Sequence, residues 1–134
     1  EYEPDLIVDI ATLTGACKVA LGPLIGGLFA SDDDAADTVI AAAMAAGEKM
    51  WRMPLESEYA SLIESDIADM KNIGGRWGGA ITAGLILAEF VDDTPWVHLD
   101  VAGPARADKA EHYITKGGTG FGVRTLIEVA RSLA

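Results

Sequence analysis

The chain has 134 residues, of which 50% are apolar and 23% are charged, a composition typical of a globular protein with room for one domain and its core. The formal net charge of −11 argues against nucleic acid or an anionic membrane as partner, since both attract basic surfaces. No apolar run is long enough to span a membrane. The single cysteine, Cys17, cannot form an internal disulfide, so a reducing cytoplasm is the expected location.

The first half of the chain predicts strands that alternate with helices. Residues 5–11 (DLIVDIA) form a nearly continuous apolar run typical of a strand covered on both faces, and residues 25–31 (IGGLFAS) predict a second short strand. Residues 16–22 predict a short helix that ends at Gly22. A longer helix begins after Ser31 or Asp32 as its cap and ends at Gly47. Residues 56–65 again favour a helix, and residues 66–73 are ambiguous, with a surface strand as one interpretation.

The second half predicts a buried helix over residues 80–91, a core strand over 96–103 and a long polar loop over 104–122. The last helix, residues 123–133, is amphipathic. Its predicted buried face consists of Val123, Leu126, Ile127, Ala130 and Leu133. Together these elements predict the α/β class, in three layers (α/β/α), with a mixed, mostly parallel sheet flanked by helices.

Two small-residue segments follow predicted strands, ATLTGA at residues 11–16 and AGPARA at 102–107. Binding residues in α/β sheets tend to lie just beyond the carboxyl ends of strands. Thr12 and Thr14 offer hydroxyls, and Gly15 allows a ligand to approach the backbone closely. Such a turn either binds a peptide through its main chain or is purely structural, and both interpretations stay open on the pattern alone.

His98 and Asp100 lie on one side of a predicted strand, where Asp9 would join them if its strand were adjacent. They are either metal ligands or hydrogen-bonded core residues, and the second is favoured because two or three ligands are few for a metal site. Cys17 has no base near it in sequence, which favours packing over a nucleophilic role.

Two glycine-rich segments offer further candidates. In residues 74–84, Arg76 and Trp77 belong either to a substrate loop or to a tight turn that packs Trp77 on the protein or on a neighbouring subunit. KGGTGFG, residues 116–122, superficially resembles a phosphate-binding loop but lacks the required residue order. A loop before the last helix is the favoured interpretation, and a nucleotide-binding protein is the weaker one.

Several blocks of the sequence occur in the same order as in one enzyme family. They are VDIATLTGA, WRMPL, ADMKNIGGRWGGAITAG, WVHLDVAG and TKGGTGFGVRTL. The chain thereby resembles the C-terminal part of the catalytic domain of leucyl aminopeptidases, the cytosol aminopeptidases, over nearly all of its length.

The resemblance implies that the full-length protein is a metalloexopeptidase that releases leucine-like N-terminal residues from peptides. The family uses two divalent metal ions (Mn²⁺ or Zn²⁺) to activate a bridging water, helped by an arginine and a bound bicarbonate. The resemblance also implies that the protein is cytoplasmic and forms a homo-oligomer, a hexamer. Arg76, Trp77 and residues 104–118 are then candidate contacts between subunits or near the interior cavity of the hexamer.

The resemblance also assigns substrate-binding residues. Thr12 and Leu13 would present backbone groups to the peptide, and the Leu13 N–H would face the bicarbonate. Gly15 would form the floor of the pocket for the first side chain, with Ala102 and Ala105 lining that pocket. Ile73 would border the pocket for the second residue.

The family's metal ligands lie in a lysine/aspartate segment and in the motif N-T-D-A-E-G-R, and neither occurs here. Residues 1–134 are therefore expected to be the C-terminal portion of the peptidase catalytic domain, without metal ligands or catalytic residues. The isolated chain would supply pocket walls and be inactive. The alternative is a non-catalytic α/β module for binding or assembly.

Overall fold

The structure is a computed structural model and describes residues 3–134. Strands alternate with helices along the first half of the chain, and a small hairpin precedes the last helix. A 3₁₀ helix covers Ser57–Leu62. The strands are β1 (Ile7–Ala11), β2 (Gly26–Ala30), β3 (Met50–Arg52), β4 (Trp96–Asp100), β5 (Arg106–Ala107) and β6 (Gly117–Gly118), and the helices are α1 (Gly15–Leu21), α2 (Asp33–Ala46), α3 (Gly79–Ala88) and α4 (Val123–Ser132).

The main sheet has the strand order β1-β4-β2-β3. β1 is parallel to β4 and β3 is parallel to β2, whereas β2 and β4 are antiparallel. The sheet is therefore mixed and mostly parallel, as predicted. Every residue of β4 is buried, because this strand has a neighbour on each side and helices on each face.

Alternating side chains of β2 divide the core between the two faces of the sheet. Leu28 and Ala30 pack with α2 and α4, through residues such as Val39 and Val129. Phe29 points to the opposite face and packs with Cys17 of α1 and Ala80 of α3. Helices thus cover both faces, which confirms the predicted three-layer α/β/α class.

The ends of α2 follow the sequence signals. Asp32 is the N-cap, and its carboxylate accepts a hydrogen bond of 2.8 Å from the Ala35 N–H. Gly47 ends the helix in a left-handed conformation, with φ of 70°. No helix within residues 3–134 is long and apolar enough to cross a membrane.

Three segments differ from the sequence-based expectation. Residues 66–73 form bends and irregular loop instead of a strand. WRMPL contributes to β3, a strand of only three residues, too short to show a periodic pattern. The predicted polar loop over residues 104–122 contains the hairpin of β5 and β6, in which Arg106 pairs with Gly118 and Ala107 with Gly117.

The buried face of α4 also differs from the prediction. Thr125 and Val129 are its buried residues, whereas Val123, Ile127 and Leu133 are 55%, 46% and 59% exposed. The prediction assumed that the buried face of α4 consists of apolar residues. Thr125 can be buried because its N–H and its hydroxyl both donate hydrogen bonds to the buried carboxylate of Glu48. A polar residue therefore lies where the pattern favoured an apolar one.

Candidate functional site

The turn after β1 is held by one buried carboxylate. Asp100, at the end of β4, is 1% exposed. Its Oδ1 accepts hydrogen bonds of 3.1 Å from the Leu13 and Ala102 N–H groups. Its Oδ2 accepts from the Thr14 N–H at 3.1 Å and from the Thr14 hydroxyl at 2.7 Å. Because β1 and β4 are parallel and Ala11 pairs with Asp100, the two loops that follow these strands meet at the same edge of the sheet.

Thr14 connects this turn to α1. Its side-chain oxygen accepts a hydrogen bond of 2.9 Å from the Cys17 N–H, so Thr14 is the N-cap of the helix. The Thr14 side chain therefore has a structural role. Thr12 and Leu13 are exposed, with Leu13 at 40%, and they remain available on this edge.

A cavity of about 300 Å³ lies beside the turn. Its walls come from the turn, from the glycine-rich segment after Lys71 and from one side of α3, and none of its lining side chains is charged. A mostly apolar cavity with main-chain polar groups nearby suits an uncharged side chain of a ligand. The lining residues are Leu13, Thr14, Gly15, Ala16, Asn72, Ile73, Gly74, Gly75, Gly79, Thr82, Ala83 and Ile86.

The structure brings together three of the six residues assigned by resemblance. Leu13, Gly15 and Ile73 line the same cavity, whereas Thr12, Ala102 and Ala105 do not. Ala102 is linked to the turn through Asp100, whose Oδ1 accepts from both Leu13 and Ala102, and Ala105 packs against the large core cluster. The Leu13 N–H donates a hydrogen bond to Asp100 Oδ1, and its contact with a bicarbonate stays a prediction.

Close approaches of the backbone shape this region. A Cβ at Gly74 would lie 2.7 Å from the Thr82 side chain, so the loop packs directly on α3. A Cβ at Gly103 would collide with the Gly22 carbonyl oxygen, because the loop after β4 crosses the end of α1 there. At Gly15, by contrast, an added Cβ would meet no atom within 4 Å.

Arg76 and Trp77 lie just beyond the cavity segment. The Arg76 guanidinium stacks over the Trp77 ring at 4.9 Å from its centroid, and Trp77 is 76% exposed. Trp77 therefore does not pack into the described part of the chain. The preceding residues, Asn72 to Gly75, do line the cavity.

His98 is a fully buried core residue that hydrogen-bonds to Asp9 on the neighbouring strand, as the favoured interpretation predicted. Its Nδ1 lies 2.5 Å from Asp9 Oδ1, and the Trp96 indole N–H donates to Asp9 Oδ2 at 2.7 Å. Nδ1 donates this bond in the tautomer that carries its proton on that nitrogen. Nε2 has no partner within residues 3–134. Across that same span, no three His, Cys, Asp or Glu side chains converge to hold a metal ion.

Cys17 is 1% exposed, and burial raises the pKa of its thiol from 9.0 to about 11, with the negative charge of Asp100 as the next cause. The thiol therefore stays protonated at neutral pH. We expect iodoacetamide at pH 8 to leave Cys17 unmodified in the native protein and to label it fully in urea, as read by mass spectrometry of its peptide. Rapid labelling of the native protein would contradict this burial.

The neutral thiol also makes a prediction for stability. Because the folded-state pKa lies above the value of 9.0 for an unperturbed thiol, Cys17 favours folding below pH 9. That contribution should be lost as the pH rises from about 9 to about 11. The urea midpoint should fall less over this interval in Cys17→Ser, which serves as the matched control.

The sequence did not reveal Glu48, which is 5% exposed. Its carboxylate accepts hydrogen bonds from the Gly122 N–H and the Thr125 N–H, each at 3.0 Å, and from the Thr125 hydroxyl at 2.7 Å. Glu48 thus caps α4, whose own N-cap, Gly122, has no side chain. A phosphate bound at the start of α4 would need the Gly122 and Thr125 N–H groups, but both already donate to Glu48. This weakens the nucleotide-binding interpretation.

Solved structures of two proteins are similar to this chain over most of its length. The bottromycin maturation enzyme BotP in complex with Mn is 47% identical with a TM-score of 0.91, covering 96% of this chain and 29% of that one. A mutant tomato leucine aminopeptidase is 51% identical with a TM-score of 0.87, covering 93% of this chain and 24% of that one.

Residues 1–127 match the family described as "Cytosol aminopeptidase family, catalytic domain". A protein named "Probable cytosol aminopeptidase" from Cyanothece sp. strain PCC 7425 is 58% identical over 92% of this chain. One of the same name from Chlorobium phaeobacteroides is 51% identical over 100% of it. The chain belongs to the cytosol aminopeptidase family. It spans 25% and 27% of the lengths of these two relatives.

Proposed function

We propose that the protein containing this chain is a metal-dependent aminopeptidase that releases N-terminal residues, preferably leucine-like, from peptides. The observation that carries this proposal is the uncharged cavity beside the Asp100-held turn, in a chain of the cytosol aminopeptidase family. A cavity of about 300 Å³ with small and aliphatic lining residues suits an aliphatic side chain. The chain would supply walls of the substrate pocket.

We assign the pocket residues as follows. Leu13, Gly15 and Ile73 would contact substrate side chains directly, since they line the cavity. Thr12 would present its backbone groups to the extended peptide. Ala102 and Ala105 would border the pocket from the other loop, which Asp100 joins to the turn.

The described residues do not fit a metal site, because no set of three potential ligands converges among them. We therefore place the ligands of the two divalent ions, Mn²⁺ or Zn²⁺, outside residues 3–134, and we keep a bicarbonate near the backbone of Leu13 as part of the proposal. Such ions supply Lewis-acid activation of a water when bound. The manganese complex of BotP supports the use of a divalent metal.

The name of the family supports a cytoplasmic location. We further propose a homo-oligomer, a hexamer, with the exposed Trp77 and the loop over residues 104–118 as candidate contacts. The alternative, a non-catalytic α/β binding or assembly module, is favoured by one observation, the lack of a ligand set within residues 3–134.

The test compares two proteins for hydrolysis of a leucyl chromogenic amide with added manganese. The 134-residue chain alone should show no activity. The same chain extended upstream to the length of its relatives should be active and should lose activity with a chelator. If the extended protein binds manganese but hydrolyses no N-terminal amide, the proposal fails and the binding module is favoured.

A further inference from the structure

We infer that Asp100 is the positioning residue that fixes the two loops of the substrate site, residues 12–14 and 101–105, relative to each other. This inference rests on the proposed function, because it concerns the same site. Asp100 itself does not line the cavity, so it would act through the residues that it binds.

The hydrogen bonds give the first step. Three donors to Asp100 come from the turn after β1, which lies 86 to 87 residues away in sequence, and the fourth is the Ala102 N–H from the loop after β4. The last backbone hydrogen bond between the two chain segments runs from the Val101 N–H to the Ala11 carbonyl. Among the side chains of residues 3–134, Asp100 is the one that hydrogen-bonds to both loops.

The chemistry of the carboxylate gives the second step. All four partners of Asp100 are donors, and each oxygen accepts two of them. An ionised carboxylate matches this set fully, whereas an amide would turn a donor toward the Thr14 N–H or the Leu13 N–H. Bonds to a charged acceptor are also stronger than bonds between neutral groups, which suits a group that must fix two loops.

The position of the turn in the cavity wall gives the third step. Leu13 and Gly15 line the cavity on either side of Thr14, the residue that Asp100 holds most firmly. The opposite wall belongs to α3, and none of the four donors to the Asp100 carboxylate comes from that helix. Loss of the carboxylate should therefore displace one wall relative to the other, and so weaken substrate binding more than it slows the chemical step.

The experiment compares Asp100→Asn with Glu48→Gln in the full-length protein. Glu48 is the control because it is also a buried carboxylate bound by N–H and hydroxyl donors, but it caps α4 and does not line the cavity. It has three such donors and a neighbouring Arg124, whereas Asp100 has four donors. We expect Asp100→Asn to raise KM for leucyl substrates by about tenfold with a smaller change in kcat and unchanged metal content. Glu48→Gln should lower the thermal midpoint and leave KM unchanged.

Hydrogen exchange measured by mass spectrometry reports the protection of the amide hydrogens in the two loops, independently of enzyme activity. Asp100→Asn should accelerate exchange in peptides covering residues 12–15 and 101–105, whereas Thr14→Ala should accelerate mainly the first. An unchanged KM despite faster exchange would overturn the positioning role, and unchanged exchange would overturn the link between the loops. If the unmutated protein hydrolyses no leucyl substrate, the proposed function fails, and exchange alone decides whether Asp100 fixes the loops.

Discussion

Replacement of Gly15 by valine is expected to lower kcat/KM for leucyl substrates by about 100-fold in the full-length enzyme. Gly15 lines the cavity, and a Cβ added there would meet no protein atom within 4 Å. The valine side chain would thus fit the fold while occupying space that a substrate side chain needs. Gly15 is the first residue of α1, where loss of a glycine does not disfavour the helix. The measurement is steady-state hydrolysis of a leucyl amide.

The matched control for this variant is Gly118→Val. Gly118 also has no atom within 4 Å of an added Cβ, but it lies in the β5–β6 hairpin and does not line the cavity. Because Gly118 lies in the proposed subunit contact over residues 104–118, light scattering must first show that Gly118→Val keeps the oligomeric state of the unmutated protein. Gly118→Val should then keep normal turnover, and Gly15→Ala should have an intermediate effect. Metal content should be the same in all variants. Normal turnover in Gly15→Val would remove the turn after β1 from the substrate site.

Replacement of Glu48 by alanine is expected to lower the free energy of unfolding by about 3 kcal/mol. The change leaves the Gly122 N–H, the Thr125 N–H and the Thr125 hydroxyl without their acceptor in a buried location. It also removes the only side-chain cap of α4 that the described residues provide. The measurement is the thermal midpoint, together with hydrogen exchange of a peptide covering residues 120–130.

Two further variants show whether burial accounts for this cost. Asp32→Ala removes an exposed cap from α2 and should cost about 1 kcal/mol. Glu48→Gln keeps one acceptor oxygen and should fall between the two. Equal losses in Glu48→Ala and Asp32→Ala would show that the buried donors of α4 find other partners, contrary to this account.

The sequence predicted elements whose signals are local. The apolar runs of β1, β2 and β4 indicated strands, and the structure places all three in the sheet. The expectation that β1 is covered on both faces is wrong, because it lies at the edge of the sheet within the described residues and none of its residues is fully buried. Asp32 and Gly47 marked the ends of α2 correctly, because a cap and a left-handed glycine act within one helical turn. Local chemistry was sufficient in each case.

Features that depend on distant partners were not predicted. Glu48 lies 74 residues from Gly122, and no periodic pattern in one sequence connects the two. For the same reason, the apolar pattern of α4 predicted the wrong buried face, because Thr125 is buried there next to a distant acceptor. The hairpin of β5 and β6 has two residues in each strand, which leaves no alternation to detect.

In the candidate site too, some features could be predicted from the sequence and others depend on contacts between distant residues. The resemblance to a family indicated Leu13, Gly15 and Ile73, and the fold brings them to one cavity although Ile73 is far from the others in sequence. The resemblance assigned the Leu13 N–H to a bicarbonate, but it gave no sign of the bond from this N–H to Asp100, which spans 87 residues. Only the parallel pairing of β1 with β4 makes that contact possible.

The position of β4 between β1 and β2 has a consequence for biosynthesis. Both neighbours precede β4 along the chain, and the contact between Asp9 and His98 spans 89 residues. On the ribosome, β1 therefore emerges long before its partner, and β2 can pair only with β3 until Asp100 has been translated. Pairing over such distances slows folding and leaves strand edges exposed meanwhile. A nascent chain stalled before Trp96 should consequently need protection by a chaperone, whereas one released after Asp100 can close its sheet.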